Sequence, residues 1–235
     1  MGHLSPGRKE GGSTKLEKLL IPGPAGTLEG LLEWDPNVSF RFAAIVCHPH
    51  PQFGGTMHNK VVFRAAKAAS QTGLATLRFN FRGVGKSQGE FAGGIGEGGD
   101  VRAALDYLLE RFPGTSICMM GFSFGARVGL AVGAEDSRVC ALVGMGLPGK
   151  ASDFDYLSSV TKPKLIVQGT EDVYGPRHEV EAVFDSMAAP KHIHWVEGAD
   201  HFFTGRLEEV QEVIRMFLLE FINLNSEVRR PFRPR

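Results

Sequence analysis

Residues 121–125 read "GFSFG", a serine with a glycine two positions away on either side, directly after the apolar run "SICMM" and ahead of a helix-like segment. A sharp turn from strand into helix strains its central residue and leaves no space for side chains two positions away, which accounts for Gly121 and Gly125. Such a turn lifts the Ser123 hydroxyl above a sheet, where it can act as a nucleophile. In a chain of 235 residues with 30 glycines the bare pattern arises by chance about 0.2 times. Its weight therefore comes from its place between strand and helix.

A nucleophilic serine needs a histidine base, and the histidine needs an acid that orients it and stabilises the imidazolium. Both are expected later in the chain, in the order Ser, acid, His. "TEDVYGP", after the apolar run "KLIVQG", offers Asp172, and "EGADHFF", after "HIHWV", offers His201. Each has a plainer reading: Asp172 as a cap for the helix near Pro176, His201 as a packed histidine beside two phenylalanines. Glu171, Asp200 and the pair Asp153/Asp155 compete as the acid. Glu171 points elsewhere if Asp172 faces the site, and Asp200 is bonded directly to His201 and poorly placed to support its ring. Three candidates in the required order, each following a strand-like run, single out Ser123, Asp172 and His201.

The elements that would hold these groups are legible in the same pattern. "KLEKLLIP" and "LEGLLEW" flank the turn residues "GPAGT" and predict an antiparallel hairpin. From residue 42 onward apolar runs alternate with helix-like segments: "FAAIVC", 60–71, "LATLRFN", 100–111, "SICMMGF", 124–134, "VCALVGMG", "KLIVQG", 178–188, "HIHWV", and a long amphipathic segment from Leu207 to Asn223. Near-continuous apolar strands separated by crossover helices predict an α/β fold, a mostly parallel sheet with helices on both faces. In such a sheet ligands bind beyond the carboxyl ends of the strands. One domain over residues 15–223 is expected, with a disordered tail at 1–14 and a basic tail at 224–235.

Lys plus Arg and Asp plus Glu both number 26, so net charge gives no reason to expect a nucleic-acid partner. No apolar run reaches the ~18 residues needed to cross a membrane, and the amino-terminal stretch lacks the apolar core of a secretory signal. Three cysteines, Cys47, Cys118 and Cys140, lie in or at the end of apolar runs. An odd number in such places points to free thiols in a reducing compartment, hence the cytoplasm. A monomer or homodimer is expected.

With "HPHP..GG", "RFNFRGVGKS.G", "GFSFG", "GTED" and "GADHFF" in this order, the chain resembles an α/β-hydrolase, and more narrowly the small dienelactone-hydrolase-like serine hydrolases. The resemblance covers nearly everything from residue 15 to 223. It implies an eight-stranded sheet, carboxylesterase activity on a small-molecule ester and no cofactor. Dienelactone hydrolases themselves use a cysteine nucleophile where this chain has Ser123, which argues against a lactone-specific role. The same three groups also serve amides, peptides and thioesters, and the fold is also used for non-catalytic binding.

The tetrahedral intermediate of acyl transfer needs two backbone N–H donors. One is expected from Phe124, the residue after the nucleophile, and the other from "HPHPQFGG" after the third strand. Pro49 and Pro51 have no N–H. That leaves His50, Gln52 and Phe53, with Gln52 favoured because the following "FGG" lets the chain turn away. His48 and His50 also suggest a metal site, but no further ligands stand at suitable spacing. His192 and His194 read as strand residues for the same reason.

Three further stretches bear on the site. "FRGVGKSQG" ends like a nucleotide-binding loop, yet the required first glycine is Asn80, so Arg82, Gly83 and Ser87 read as loop-shaping residues. "EFAGGIGEGGD", residues 90–100, reads either as a mobile flap or as a flexible connection to a helix capped near Asp100. "LPGKASDFDYLSSVTK", residues 147–162, is too short to build a helical cap, so an open site with minimal or no lid is expected.

Overall fold

The sheet begins with the predicted hairpin, strands β1 (Lys15–Gly23) and β2 (Gly26–Trp34), in a computed structural model that describes residues 14–148 and 151–227. There follow β3 (Phe42–Cys47), α1 (Lys60–Gln71), β4 (Ala75–Phe79), α2 (Ile95–Arg111), β5 (Ser116–Phe122), α3 (Phe124–Glu135), β6 (Val139–Met145), β7 (Lys164–Gly169), α4 (Arg177–Ser186), β8 (Lys191–Val196) and α5 (Leu207–Glu227). The eight strands form one sheet in the order β1-β2-β4-β3-β5-β6-β7-β8. β1–β2 and β2–β4 pair antiparallel, and every other pair is parallel.

Because successive side chains of a strand point to opposite faces, the central strands must be apolar throughout to bury both. In β3, Ala43, Ile45 and Cys47 face a core shared with α2, α3 and α4, while Ala44 and Val46 face the core under α1 and α5. β5 divides the same way, Ile117 and Met119 to one side, Cys118, Met120 and Phe122 to the other. The parallel strands are thereby fixed in depth, and their carboxyl ends share one edge of the sheet. All three cysteines are free thiols.

The glycine-rich stretch differs from both expectations. α2 starts at Ile95, so Gly96, Gly98 and Gly99 are helical rather than flap or linker. The reason is tertiary. A side chain at Gly96 would meet the Arg82 guanidinium at 2.3 Å, and one at Gly99 would meet Pro24 at 3.1 Å. Arg82 crosses here to the buried Asp100 and to the Gly96 carbonyl. Glu97, also buried, accepts from the N–H groups of Ala92 and Gly94 and fixes the helix start. Ser87 joins β2 to the loop after β4, accepting from Glu29 N–H and donating to the Asn80 carbonyl.

Among the described residues no lid domain is inserted between β6 and β7. Residues 151–159 form short 3-10 turns, with Phe154 and Leu157 packed into the core. At the carboxyl terminus α5 continues past Asn223 to Glu227, and the rest of the expected tail lies outside the described residues, as does 1–13.

Candidate active site

Ser123 joins β5 to α3 with φ 56° and ψ −122°, one of two non-glycine residues at positive φ among the described residues. Its N–H donates to the Met145 carbonyl at the end of β6, which anchors the turn to the neighbouring strand. A Cβ at Gly121 would lie 2.3 Å from the Gly125 carbonyl oxygen, and one at Gly125 would lie 2.4 Å from that of Cys47 and 2.5 Å from that of His48. The two glycines thus let the turn close on itself and let the end of β3 press against the start of α3.

The turn brings Ser123 Oγ to 2.9 Å from His201 Nε2, and His201 Nδ1 lies 2.8 Å from Asp172 Oδ2. With Nδ1–H donating to the carboxylate, Nε2 is left to accept from the serine hydroxyl. His201 and Asp172 are both buried. Asp172 Oδ1 accepts from the N–H groups of Tyr174 and Gly175, so both carboxylate oxygens are hydrogen-bonded and the carboxylate cannot rotate freely. The imidazole sits among the rings of Phe122, Tyr174 and Phe202, at centroid distances of 5.1, 4.8 and 5.3 Å. Gly146 leaves room for it, since a Cβ there would stand 3.2 Å from His201 Cε1.

Of the competing acids, Asp200 is engaged elsewhere. Asp200 accepts from Phe202 N–H, Thr204 N–H and the Thr204 hydroxyl, which closes the turn after His201. The Thr204 amide is the largest cause of its carboxyl sitting below the usual range. Glu171 and Asp155 are exposed, and the side chain of Asp153 lies outside the described residues.

Sequence reading missed Gln168. It is fully buried at the end of β7, accepts from Leu147 N–H at 2.7 Å, and donates to Asp172 Oδ2 at 2.7 Å and the Gly175 carbonyl at 3.1 Å. One amide thus ties the end of β6 to the turn that carries the acid. The available signal was a polar residue at the carboxyl end of the apolar run "KLIVQG".

His48 and His50 do not form a pair. His48 is buried, its Nδ1–H donates to the Pro49 carbonyl at 2.6 Å, and Nε2 accepts from Phe81 N–H at 3.0 Å. Burial pushes its pKa down to about 4, so the ring is neutral. Both nitrogens are engaged, which leaves none for a metal. His50 points outward among the rings of Phe53, Phe91 and Phe124. Its Nδ1 accepts from Gln52 N–H at 3.2 Å, and its carbonyl accepts from the N–H groups of Phe53 and Gly55. The Gln52 amide favoured from sequence is therefore already engaged, as is that of Phe53. Among the three candidates, the His50 N–H alone makes no such bond.

Ser123 and His201 open onto a cavity of about 610 Å³ bounded by Pro49, His50, Phe53, Gly54, Gly55, Asn59, Phe124, Arg127, Pro148, Tyr174 and Phe202. Its size suits a small organic ligand. Phe53, Tyr174 and Phe202 stand exposed around the mouth.

A hydroxyl, an imidazole and a carboxylate at the ends of β5, β8 and β7 of this sheet define the α/β-hydrolase class. The chain belongs to that family, the alpha/beta hydrolase domain, which it matches over residues 45–216. A protein of Rickettsia prowazekii (strain Madrid E) described as uncharacterized is 34% identical over 215 residues, 87% of this chain and 89% of its own. An alpha-beta serine hydrolase homologue from Coxiella burnetii is 40% identical with a TM-score of 0.81, covering 86% of this chain and 97% of that one. A lidless serine hydrolase from Xanthomonas campestris is 31% identical with a TM-score of 0.79, over 94% of this chain and 97% of that one. These relationships identify a hydrolase. No described helix is long and apolar enough to cross a membrane.

Proposed function

We propose that this protein is a serine hydrolase that cleaves small carboxylic esters, with Ser123 as nucleophile, His201 as general base and acid, and Asp172 as the orienting carboxylate. The observation that carries this reading is the unbroken hydrogen-bond chain from Ser123 through His201 to Asp172, with the hydroxyl at the floor of an open cavity. Ser123 attacks the ester carbonyl as its proton passes to His201 Nε2, and the imidazolium then protonates the departing alcohol. Water repeats the sequence to release the acid from the acyl-enzyme. Asp172 remains ionised and stabilises the imidazolium throughout.

The oxyanion is assigned to the N–H groups of Phe124 and His50. Phe124 opens α3, where no helical carbonyl is available to its amide, so the donor is free to face developing charge. The His50 amide is preferred over Gln52 and Phe53 because theirs are engaged in closing the loop. Contact of the His50 and Phe124 rings, with centroids 4.9 Å apart, supports the two residues acting side by side.

Labelling with a fluorophosphonate probe tests the assignment. Wild type should label and Ser123→Ala should not; an unlabelled wild type would favour a non-catalytic binding role. The absence of a lid favours short acyl groups. p-Nitrophenyl acetate and butyrate should be turned over far faster than the laurate, and a preference for laurate would sink the small-ester reading.

A further inference from the structure

Within the proposed hydrolase reading, we infer that the acyl pocket selects a carboxylate on the acyl group, so that the preferred substrates are half-esters of small dicarboxylic acids, and that Arg127 is the residue that recognises it. Arg127 lies one helical turn after Ser123 on α3. Helical side chains lean toward the amino terminus, so this one reaches back over the turn that carries the nucleophile. Its guanidinium lies over the Phe124 ring, with Cζ 5.4 Å from the centroid, and it lines the same cavity as Ser123 and His201.

The protein holds Arg127 only loosely. Its single hydrogen bond is a long one, 3.4 Å from Nη2 to the Gly93 carbonyl, and among the described residues no carboxylate stands within ion-pair distance. Glu97 on α2 has its oxygens on the amides of Ala92 and Gly94, and Arg102 and Glu135 beyond it pair with each other. No acidic side chain lines the cavity. A guanidinium offers a planar fork of N–H donors, matched to a carboxylate, and a single cation balances a monoanion rather than a phosphate dianion.

Geometry assigns the anion to the acyl side. The departing alcohol must lie against His201, which protonates it, and so against the wall of Tyr174 and Phe202 that packs on His201. The acyl chain then takes the remaining part of the cavity, where His50, Phe124 and Arg127 lie together.

The test compares p-nitrophenyl hemiglutarate with its uncharged isostere, p-nitrophenyl 5-methylhexanoate, after subtracting buffer hydrolysis. The ratio of kcat/KM values within one preparation does not depend on the fraction folded. Wild type should favour the hemiglutarate by about tenfold or more, the scale of a charge-assisted pair. Added salt should shrink that preference. Arg127→Gln should abolish it and Arg127→Lys should restore part of it. No preference in wild type, or one that survives in Arg127→Gln, would overturn the inference while leaving the nucleophile assignment intact. If Ser123 labels with fluorophosphonate and neither ester turns over, the inference fails alone. If Ser123 does not label, the hydrolase mechanism fails and the inference with it.

Discussion

Gln168 Nε2 donates to Asp172 Oδ2 at 2.7 Å, the same carboxylate oxygen that His201 Nδ1–H reaches at 2.8 Å. A fully buried neutral amide thus helps to hold the acid in line with the imidazole while its own oxygen is fixed by Leu147 N–H. Gln168→Leu leaves that N–H and the Gly175 carbonyl without partners, and should cost roughly 1–3 kcal/mol of stability and about tenfold in kcat. Gln168→Glu sets a second buried carboxyl against Asp172, where it keeps its proton and can still donate to the carboxylate, so it should retain more kcat than Gln168→Leu. Equal losses in kcat for the two variants would reduce Gln168 to a packing role.

The His50 backbone has φ −53° and ψ 122°, within the range of proline. His50→Pro removes the proposed oxyanion donor at a compatible φ, while His50→Ala removes the ring and keeps the N–H. The proline variant should acylate roughly 10²–10³-fold more slowly than wild type, with a clearly smaller loss in the alanine variant. Equal losses in a rapid acylation assay would reassign the donor.

Gly125→Ala tests the contact between the ends of β3 and α3. The added methyl would lie within 2.6 Å of the Cys47 and His48 backbone, so one of the two elements must shift. Stability in urea should fall by roughly 1–3 kcal/mol. Fluorophosphonate labelling should slow, since the same shift separates Phe124 from His50.

His48 should couple stability to pH. Its folded-state pKa is pushed down to about 4 by burial, whereas in the unfolded chain it is about 6.5. The unfolded state therefore binds the proton first, and stability falls as pH drops through that interval, by about 3 kcal/mol in total. His48→Gln should flatten the slope of unfolding free energy between pH 6.5 and 4 relative to wild type. An unchanged slope would mean that other groups carry it.

The chemistry-bearing residues were legible because their signals are local. Alternating apolar runs and helix-like segments mark strands and crossovers, and in a parallel sheet the strand ends are where ligands bind. That placed Ser123, Asp172 and His201 at one edge without coordinates. Gln168 was visible only as a polar residue in a buried strand, since its partners come from β6 and from the turn after β7.

Sequence alone determined the succession of strands and helices along the chain, the glycines that the turn at Ser123 requires and the three candidate reacting groups, because these follow from hydrophobic period and backbone sterics within a few residues. Tertiary structure decided the rest. The His50 ring, held among Phe53, Phe91 and Phe124, turns Nδ1 onto the Gln52 amide and so occupies the donor that the sequence favoured. Arg82 and Pro24 crowd Gly96 and Gly99, turning a glycine-rich stretch into the first turns of α2. No acidic side chain lines the cavity that Arg127 shares with Ser123 and His201, so an anion placed there meets no like charge from the walls. Each outcome depends on which distant groups occupy the space beside a residue, and only the folded chain brings those groups together.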